Sequence, residues 1–175
     1  MFLLLSSLCF AETLAGVTLP DSIEIQNHTL QLNGIGLREK YWIDVYVAGL
    51  YLASTTTNPH QIITSNSPKR LHTQFIYSSV PKQKMIDTLK ENIQKNPTIS
   101  PSVIDQIDKA AHWMDDFTTG DEIIFDYIPD TGTIFTIKGE VKGTIPGEEF
   151  MQALFSIYVG DYPASEQLKQ GLLGE

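Results

Sequence analysis

Three polar side chains that could do chemistry lie in one otherwise apolar stretch of the sequence. Arg38 follows the segment Gly34-Ile-Gly36, and Asp44 and Tyr46 come a few residues later among apolar and aromatic residues. A buried polar group without a partner costs about 1–3 kcal/mol, so these groups need partners in the protein or in a ligand. A guanidinium offers two parallel donors to a carboxylate, and a phenol adds another donor. The sequence therefore predicts Arg38 and Tyr46 as ligand-binding residues at an anion site. A structural ion pair from Arg38 to Glu39 or Asp44 is the alternative.

Other kinds of site find little support in the sequence. The histidines are scattered and show no metal-ligand spacing: His28, His60, His72 and His112. Ser156 has no G-x-S-x-G setting, and Gly34-Ile-Gly36 lacks the third glycine of a dinucleotide fingerprint. We therefore expect no metal and no cofactor. A net charge of −9 argues against nucleic acid and against anionic lipid head groups as partners.

The first eleven residues predict an export signal. They form an apolar run that ends at the small residue Ala11, after which cleavage is expected. The run is too short to cross a bilayer as a helix, so no membrane span is expected in the mature chain. Residues 12–175 are predicted to form a single domain, periplasmic or secreted. The alternative for residues 1–11 is a short buried strand or a disordered end. Cys9 is the sole cysteine, so the mature chain would have no thiol chemistry.

A strand over residues 41–52 is the element predicted to position the polar groups. Nearly all of its residues are apolar or aromatic, which suits a central strand covered on both faces. Side chains alternate across a strand. Alternation places Trp42 and Tyr46 on one face and Ile43 and Val45 on the other, and Trp42 is expected in the core.

The rest of the chain contains further strand and helix signals. Strands are predicted around residues 23–32, with a hairpin at 27–28 and a bend or bulge at Gly34 and Gly36, and then over 69–77, 122–128, 133–138 and 141–145. Helices are predicted over 59–64, 81–96, 101–119, 148–159 and 163–173. Hairpin-type connections and blocks of helices predict an α+β fold, in which a layer of helices covers an antiparallel sheet.

Several motifs together resemble the chalcone isomerase-like superfamily, and specifically its bacterial exported members. They are Gly34-Ile-Gly-Leu-Arg38, Val45-Tyr-Val-Ala-Gly-Leu-Tyr-Leu52, Gly120-Asp-Glu-Ile-Ile-Phe-Asp-Tyr127, Gly132-Thr133, Lys138-Gly139, Gly147-Glu-Glu-Phe150, Tyr158-Val-Gly160, Pro163-Ala-Ser165 and Leu172-Leu-Gly174. The resemblance implies an open-faced β-sandwich, in which a large antiparallel sheet is backed by a layer of helices and a small-molecule cleft lies between them.

The resemblance also implies two candidate functions. Some family members are isomerases that close a chalcone to a flavanone, and others bind fatty acids through an arginine and a tyrosine. Arg38 matches the shared arginine, and Tyr46 matches the tyrosine of the binders. Lys84, and Glu91 or Asn92, stand where isomerases carry a tyrosine and an asparagine. We therefore expect a non-catalytic binder of a small amphipathic anion such as a fatty acid. The alternative is an isomerase, an intramolecular lyase of unknown substrate, in which Arg38 stabilises negative charge.

The apolar part of the expected ligand needs apolar walls. The two middle helices offer Met85, Leu89 and Ile107 for a lipophilic tail, so the partner expected is a small lipophilic carboxylate. A third interpretation is a structural or interaction protein in which Arg38 only pairs with an acid.

Overall fold

Seven antiparallel strands form one sheet in which each strand pairs with its neighbours in sequence. The computed structural model describes residues 11–95 and 100–175. Its strands are β1 (Ala11–Leu14), β2 (Val17–Pro20), β3 (Ser22–Ile25), β4 (His28–Lys40), β5 (Ile43–Leu52), β6 (Lys69–Phe75), β7 (Glu122–Ile128), β8 (Gly132–Ile137) and β9 (Glu140–Ile145). Strands β3 to β9 make the sheet in that order, and β1 and β2 form a separate hairpin.

Helices cover one face of the sheet. They are α1 (Pro59–Thr64), α2 (Lys82–Gln94), α3 (Pro101–Trp113), α4 (Glu148–Val159) and α5 (Glu166–Leu173). Buried side chains from all five helices join those of the sheet in one hydrophobic core. A smaller core on the other face includes Val17 and Leu19 of the β1–β2 hairpin. The predicted α+β fold, an antiparallel sheet backed by a layer of helices, is confirmed.

Strand β5 lies between the two cores. Ala48 and Leu50 belong to the core on the helix side, whereas Val47 and Tyr51 belong to the smaller core. All four side chains are fully buried. The predicted central strand with alternating faces is therefore confirmed from residue 46 to residue 52.

The glycines of β4 allow helix α5 to lie directly on the sheet. A Cβ atom on Gly34 would come within 2.2 Å of the Gly171 carbonyl oxygen, and one on Gly36 within 2.5 Å of the Leu168 carbonyl oxygen. Residue 33 is an extra residue in the β4–β5 ladder, so the predicted bulge at the glycines is confirmed. Asn33 uses this position to donate a hydrogen bond of 2.8 Å to the Leu172 carbonyl in α5. The glycines thus allow the backbone of α5 to pack directly against β4.

The strand predicted to begin at residue 41 begins two residues later. Tyr41 and Trp42 form a two-residue turn, with φ angles of 52° and 61°, between the paired residues Lys40 and Ile43. Trp42 is 92% exposed, so its expected place in the core is wrong. The turn gives the β4–β5 hairpin its tip and leaves both aromatic side chains outside the core.

The helix predicted over residues 101–119 is shorter than expected. It ends at Trp113, and Met114 has extended backbone angles. Phe117 reaches the core by another route, because its backbone exchanges two hydrogen bonds of 2.8 Å with Val80 in an isolated β-bridge. The predicted helix is too long because its apolar stripe includes Phe117, which is buried through this bridge and not through a helix.

The predicted export signal lies outside the described residues, except for Ala11. That residue is the first of β1, where it pairs with Pro20. Within residues 11–95 and 100–175, no helix has the length and apolar character needed to cross a membrane.

Candidate functional site

A bulge in the β4–β5 hairpin brings the predicted site residues to one face of the sheet. Arg38 pairs with Tyr46, but the next pair joins Glu39 to Asp44. Val45 therefore has no partner in the ladder and forms a β-bulge. Residues that pair directly point to the same face, so Arg38 and Tyr46 project together.

The bulge changes which residues share the face of Tyr46. Lys40 lies two residues beyond Arg38 and pairs with Ile43, so both turn toward the same side. Ile43, Val45 and Tyr46 all line one cavity, whereas Asp44 does not. The prediction that Ile43 and Val45 face away from Tyr46 is wrong, because strict alternation does not survive an inserted residue.

The cavity lies between the sheet and the helices and has a volume of about 380 Å³. Its buried end is formed by apolar side chains from the sheet and from α4, among them Phe125, Phe135, Phe150 and Leu154. Its exposed end carries polar and aromatic residues of the hairpin, of α2 and of the segment between β6 and α2, among them Arg38, Lys40, Tyr41, Tyr77 and Lys84. The volume is in the lower part of the range of about 300–1,000 Å³ typical of small-molecule sites.

Arg38 is half-buried and turned to the cavity. Its Nη1 donates a hydrogen bond of 3.1 Å to the backbone carbonyl of Glu39. Among residues 11–95 and 100–175 no carboxylate forms an ion pair with the guanidinium; Glu39 offers only its backbone, and Asp44 lies on the other face. The structural ion pair considered as an alternative is therefore absent from this part of the chain, and most of the guanidinium donors remain available to a ligand.

Two tyrosines accompany Arg38: Tyr46 is buried and Tyr158 is partly buried. Burial raises the pKa of Tyr46 to about 12, although the nearby Arg38 charge acts to lower it. Burial also raises the pKa of Tyr158 well above its usual value; the neighbouring Tyr46 raises it further, and the Arg38 charge acts to lower it. Both tyrosines line the cavity. They are protonated at neutral pH and can therefore donate hydrogen bonds to an anion.

Sequence reasoning missed Tyr158. This residue belongs to α4, whose apolar stripe predicts core packing for every aromatic residue on it. Its position next to Tyr46 depends on how α4 lies across the sheet. No local spacing relates the two residues, so only a tertiary structure could bring them together.

The expected tail-binding residues are only partly at the cavity. Met85 and Leu89 of α2 line it, as expected. Ile107 does not, since it is buried in the core formed by α3. The expectation for Ile107 was wrong because it came from a buried stripe, and a stripe does not distinguish a cavity wall from solid core.

The positions compared with isomerase residues are also separated. Lys84 lines the exposed end of the cavity. Asn92 is buried away from it, and its Nδ2 donates a hydrogen bond of 2.7 Å to the Thr88 carbonyl one turn earlier; Glu91 is exposed. In the described part of the chain the lining contains no histidine, cysteine, aspartate or glutamate, and no cluster of such residues could hold a metal.

The burial of Tyr46 predicts a loss of stability at alkaline pH. Its pKa is about 12 when folded and 10.0 ordinarily, so the unfolded chain releases the proton first. The contribution of protonated Tyr46 to the unfolding free energy is complete below pH 10 and is lost as the pH rises through 12. We expect this residue to account for up to about 3 kcal/mol of the loss in unfolding free energy.

Urea unfolding at a series of alkaline pH values tests this expectation. A Tyr46→Phe variant should lose less stability than the wild type between pH 10 and 12. Tyr162→Phe, which removes an exposed phenol, is the matched control and should follow the wild-type profile. Parallel profiles for all three proteins would contradict the assignment to Tyr46.

Comparisons with known proteins agree with this architecture. A family model described as chalcone isomerase-like matches residues 11–174. Among the solved structures that match is a fatty-acid binding protein of Arabidopsis thaliana, with a TM-score of 0.75 and 15% sequence identity. The match covers 94% of this chain and 96% of that one. The comparison with curated proteins gave no match. At such low identity the structural likeness shows the fold alone.

Proposed function

Because the chain belongs to the chalcone isomerase-like family, we propose that it binds a small amphipathic anion such as a fatty acid, without catalysis. The observation that carries the proposal is the juxtaposition of Arg38 and Tyr46 in a cavity whose other end is apolar. The charged head group of such an anion would bind Arg38 and Tyr46, and its tail would contact the apolar side chains at the other end. The Arabidopsis thaliana protein with the same fold is described as a fatty-acid binding protein, which supports the proposal.

The polar end of the cavity suits a carboxylate. The Arg38 guanidinium can present two donors to its two oxygens, and hydrogen bonds to charged groups are the stronger kind. Tyr46 and Tyr158 add neutral donors, and Lys40 and Lys84 add positive charge at the exposed end. Because no carboxylate is found in the lining described above, an anion would meet attraction without an opposing negative charge.

The apolar end suits a hydrocarbon tail. Its aromatic and aliphatic side chains are nearly inaccessible to water. Burying each methylene group there would contribute about 0.8 kcal/mol. Phe135 packs against two further phenylalanines of this end: its ring centroid lies 4.9 Å from that of Phe125 and 5.8 Å from that of Phe150. A preformed wall of this kind avoids the cost of ordering side chains on binding.

Mass spectrometry of what co-purifies with the protein tests the proposal most directly. We expect a lipophilic carboxylic acid in the organic extract of the denatured protein. In a competition assay with a fluorescent fatty acid, a saturated fatty acid should displace the probe at least tenfold better than its methyl ester, because the ester has lost the charge that Arg38 would bind.

Two results would contradict the proposal. One is the absence of any co-purifying acid together with no thermal shift across a panel of fatty acids. The other is turnover of a chalcone that is abolished by Arg38→Ala, which would favour the isomerase alternative.

Export is proposed as well. The apolar run of residues 1–10 followed by Ala11 supports a cleaved signal, and with it a periplasmic or secreted location. The N-terminus of the protein purified from its native host should then be Glu12. A protein that retains Met1 in the cytoplasm would contradict this proposal.

A further inference from the structure

The tip of the β4–β5 hairpin exposes large apolar side chains. The hairpin tip comprises Tyr41, Trp42 and Ile43, which are 81%, 92% and 41% exposed. Single exposed apolar residues are ordinary, but three consecutive ones at the end of a projecting hairpin form a patch. Lys40 lies beside this patch, with its Nζ 5.7 Å from the Tyr41 ring centroid.

The residues of the turn are unusual for its geometry. Two-residue turns with both φ angles positive strongly favour Asn-Gly, because most side chains strain such a backbone. Tyr41 and Trp42 adopt these angles nevertheless. The hairpin therefore carries two bulky aromatic residues where its own folding would favour small ones, which points to a contact made outside the chain.

The hairpin tip borders the cavity. Tyr41 and Ile43 contribute to its lining together with Lys40 and Lys84. Trp42 projects next to them but does not line the cavity. A surface that receives the tip would therefore face the exposed end of the cavity.

We propose that the hairpin tip docks the protein on a lipid bilayer by inserting Trp42 and Tyr41 among the lipid head groups. Trp and Tyr favour this interface because their rings are apolar and their N–H and O–H groups remain in contact with water. The cavity would then open toward the membrane. Only this last point, the route of an acidic lipid into the cavity, rests on the proposed function.

The size of the tip favours a bilayer over a protein partner. A stable protein interface needs about 800 Å² and some twenty residues on each side, far more than a turn of three side chains offers. Individual Trp and Tyr side chains, by contrast, can lie at the head-group level of a bilayer.

The overall charge of −9 determines which bilayer suits the tip. It opposes adhesion to anionic lipids, but charges beyond about 8 Å are screened at physiological salt. Near the tip, Glu39 and Asp44 are opposite each other in the strand ladder, on the face of the hairpin away from the cavity. Their two negative charges offset the positive charges of Arg38 and Lys40. The docking is therefore driven by ring insertion, and it requires no anionic lipid.

Tryptophan fluorescence with lipid vesicles tests the proposal. The chain has two tryptophans, and Trp113 is partly buried against Phe135, with ring centroids 5.2 Å apart. Phosphatidylcholine vesicles, alone or mixed with phosphatidylglycerol, should shift the emission of the ligand-free protein to shorter wavelength. Brominated acyl chains should quench it, and the protein should sediment with both kinds of vesicle.

Trp42→Gly is the decisive variant. Glycine suits the positive φ angle at this position, so the melting temperature should stay the same or rise. We expect at least a tenfold loss of vesicle affinity, with fatty-acid binding in solution retained. Val141→Ala, at a residue 64% exposed on β9, is the matched control and should bind vesicles like the wild type.

Two outcomes would overturn the proposal. One is vesicle binding that is undetectable in the wild type or unchanged in Trp42→Gly. The other is a shift in emission that depends on protein concentration without lipid, which would show that a second copy of the chain covers the tip. If the wild-type protein docks on vesicles but binds no fatty acid, the docking proposal stands and only the proposed function is refuted.

Discussion

Replacing Arg38 with methionine is expected to weaken fatty-acid binding by about 10- to 150-fold, the equivalent of losing one hydrogen bond to a charged group at about 1.5–3 kcal/mol. Methionine keeps most of the apolar stem of the side chain and removes its charge and donors. Because Arg38 makes no ion pair in the described residues, the free protein should lose little stability. Isothermal titration with a saturated fatty acid and a thermal melt of the ligand-free protein measure the two effects separately.

Arg70 provides the matched control, since it is the other arginine of the chain. It lies on β6 and bonds Asp126 through two hydrogen bonds of 2.5 and 2.7 Å. Arg70→Met should lower the melting temperature, because it leaves a largely buried carboxylate without its partner, and it should leave ligand affinity unchanged. The opposite pattern, in which Arg38→Met lowers the melting temperature and not the affinity, would support a structural role for Arg38.

Adding a single methyl group at Gly34 should destabilise the fold. The Cβ of Gly34→Ala would lie 2.2 Å from the Gly171 carbonyl oxygen and 2.8 Å from the Gly174 nitrogen, both of which are backbone atoms. Neither can rotate away, so α5 must shift. We expect a loss of about 3 kcal/mol in unfolding free energy, the upper part of the range for overpacking, and a fall of about 6–12 °C in melting temperature.

Gly139→Asn is the control for this substitution. Gly139 has a φ of 78° and nothing within 4 Å of an added Cβ. Asparagine tolerates that backbone conformation, so the melting temperature should change by no more than about 2–4 °C, the equivalent of 1 kcal/mol. Equal melting temperatures for Gly34→Ala and the wild type would show that α5 is not held against β4 as closely as the structure indicates.

The sequence predicted the elements whose causes are local. Hairpin turns and alternating residues predicted an antiparallel sheet, and in the structure every strand of that sheet pairs with its chain neighbours. Arg38 and Tyr46 were identified because they sit in one hairpin, where two paired residues share a face.

Other features were not predicted from the sequence. The bulge at Val45 reverses the expected side of Ile43, and a single inserted residue leaves no trace in an apolar run. Tyr158 joins the site only through the packing of α4. Trp42 was expected in the core because hydrophobicity alone does not reveal that a residue lies in a turn.

The two edges of the seven-stranded sheet bear on how the protein behaves when concentrated. Strand β3 is only 4 residues long and carries Glu24, and β9 exposes the ion pair between Lys142 and Glu140. Short or charged edges discourage strands of another molecule from extending a sheet. Addition of a strand from another molecule, which is a first step toward aggregation, is therefore disfavoured at both edges. This protection matters in a protein that also exposes the aromatic hairpin tip to solvent.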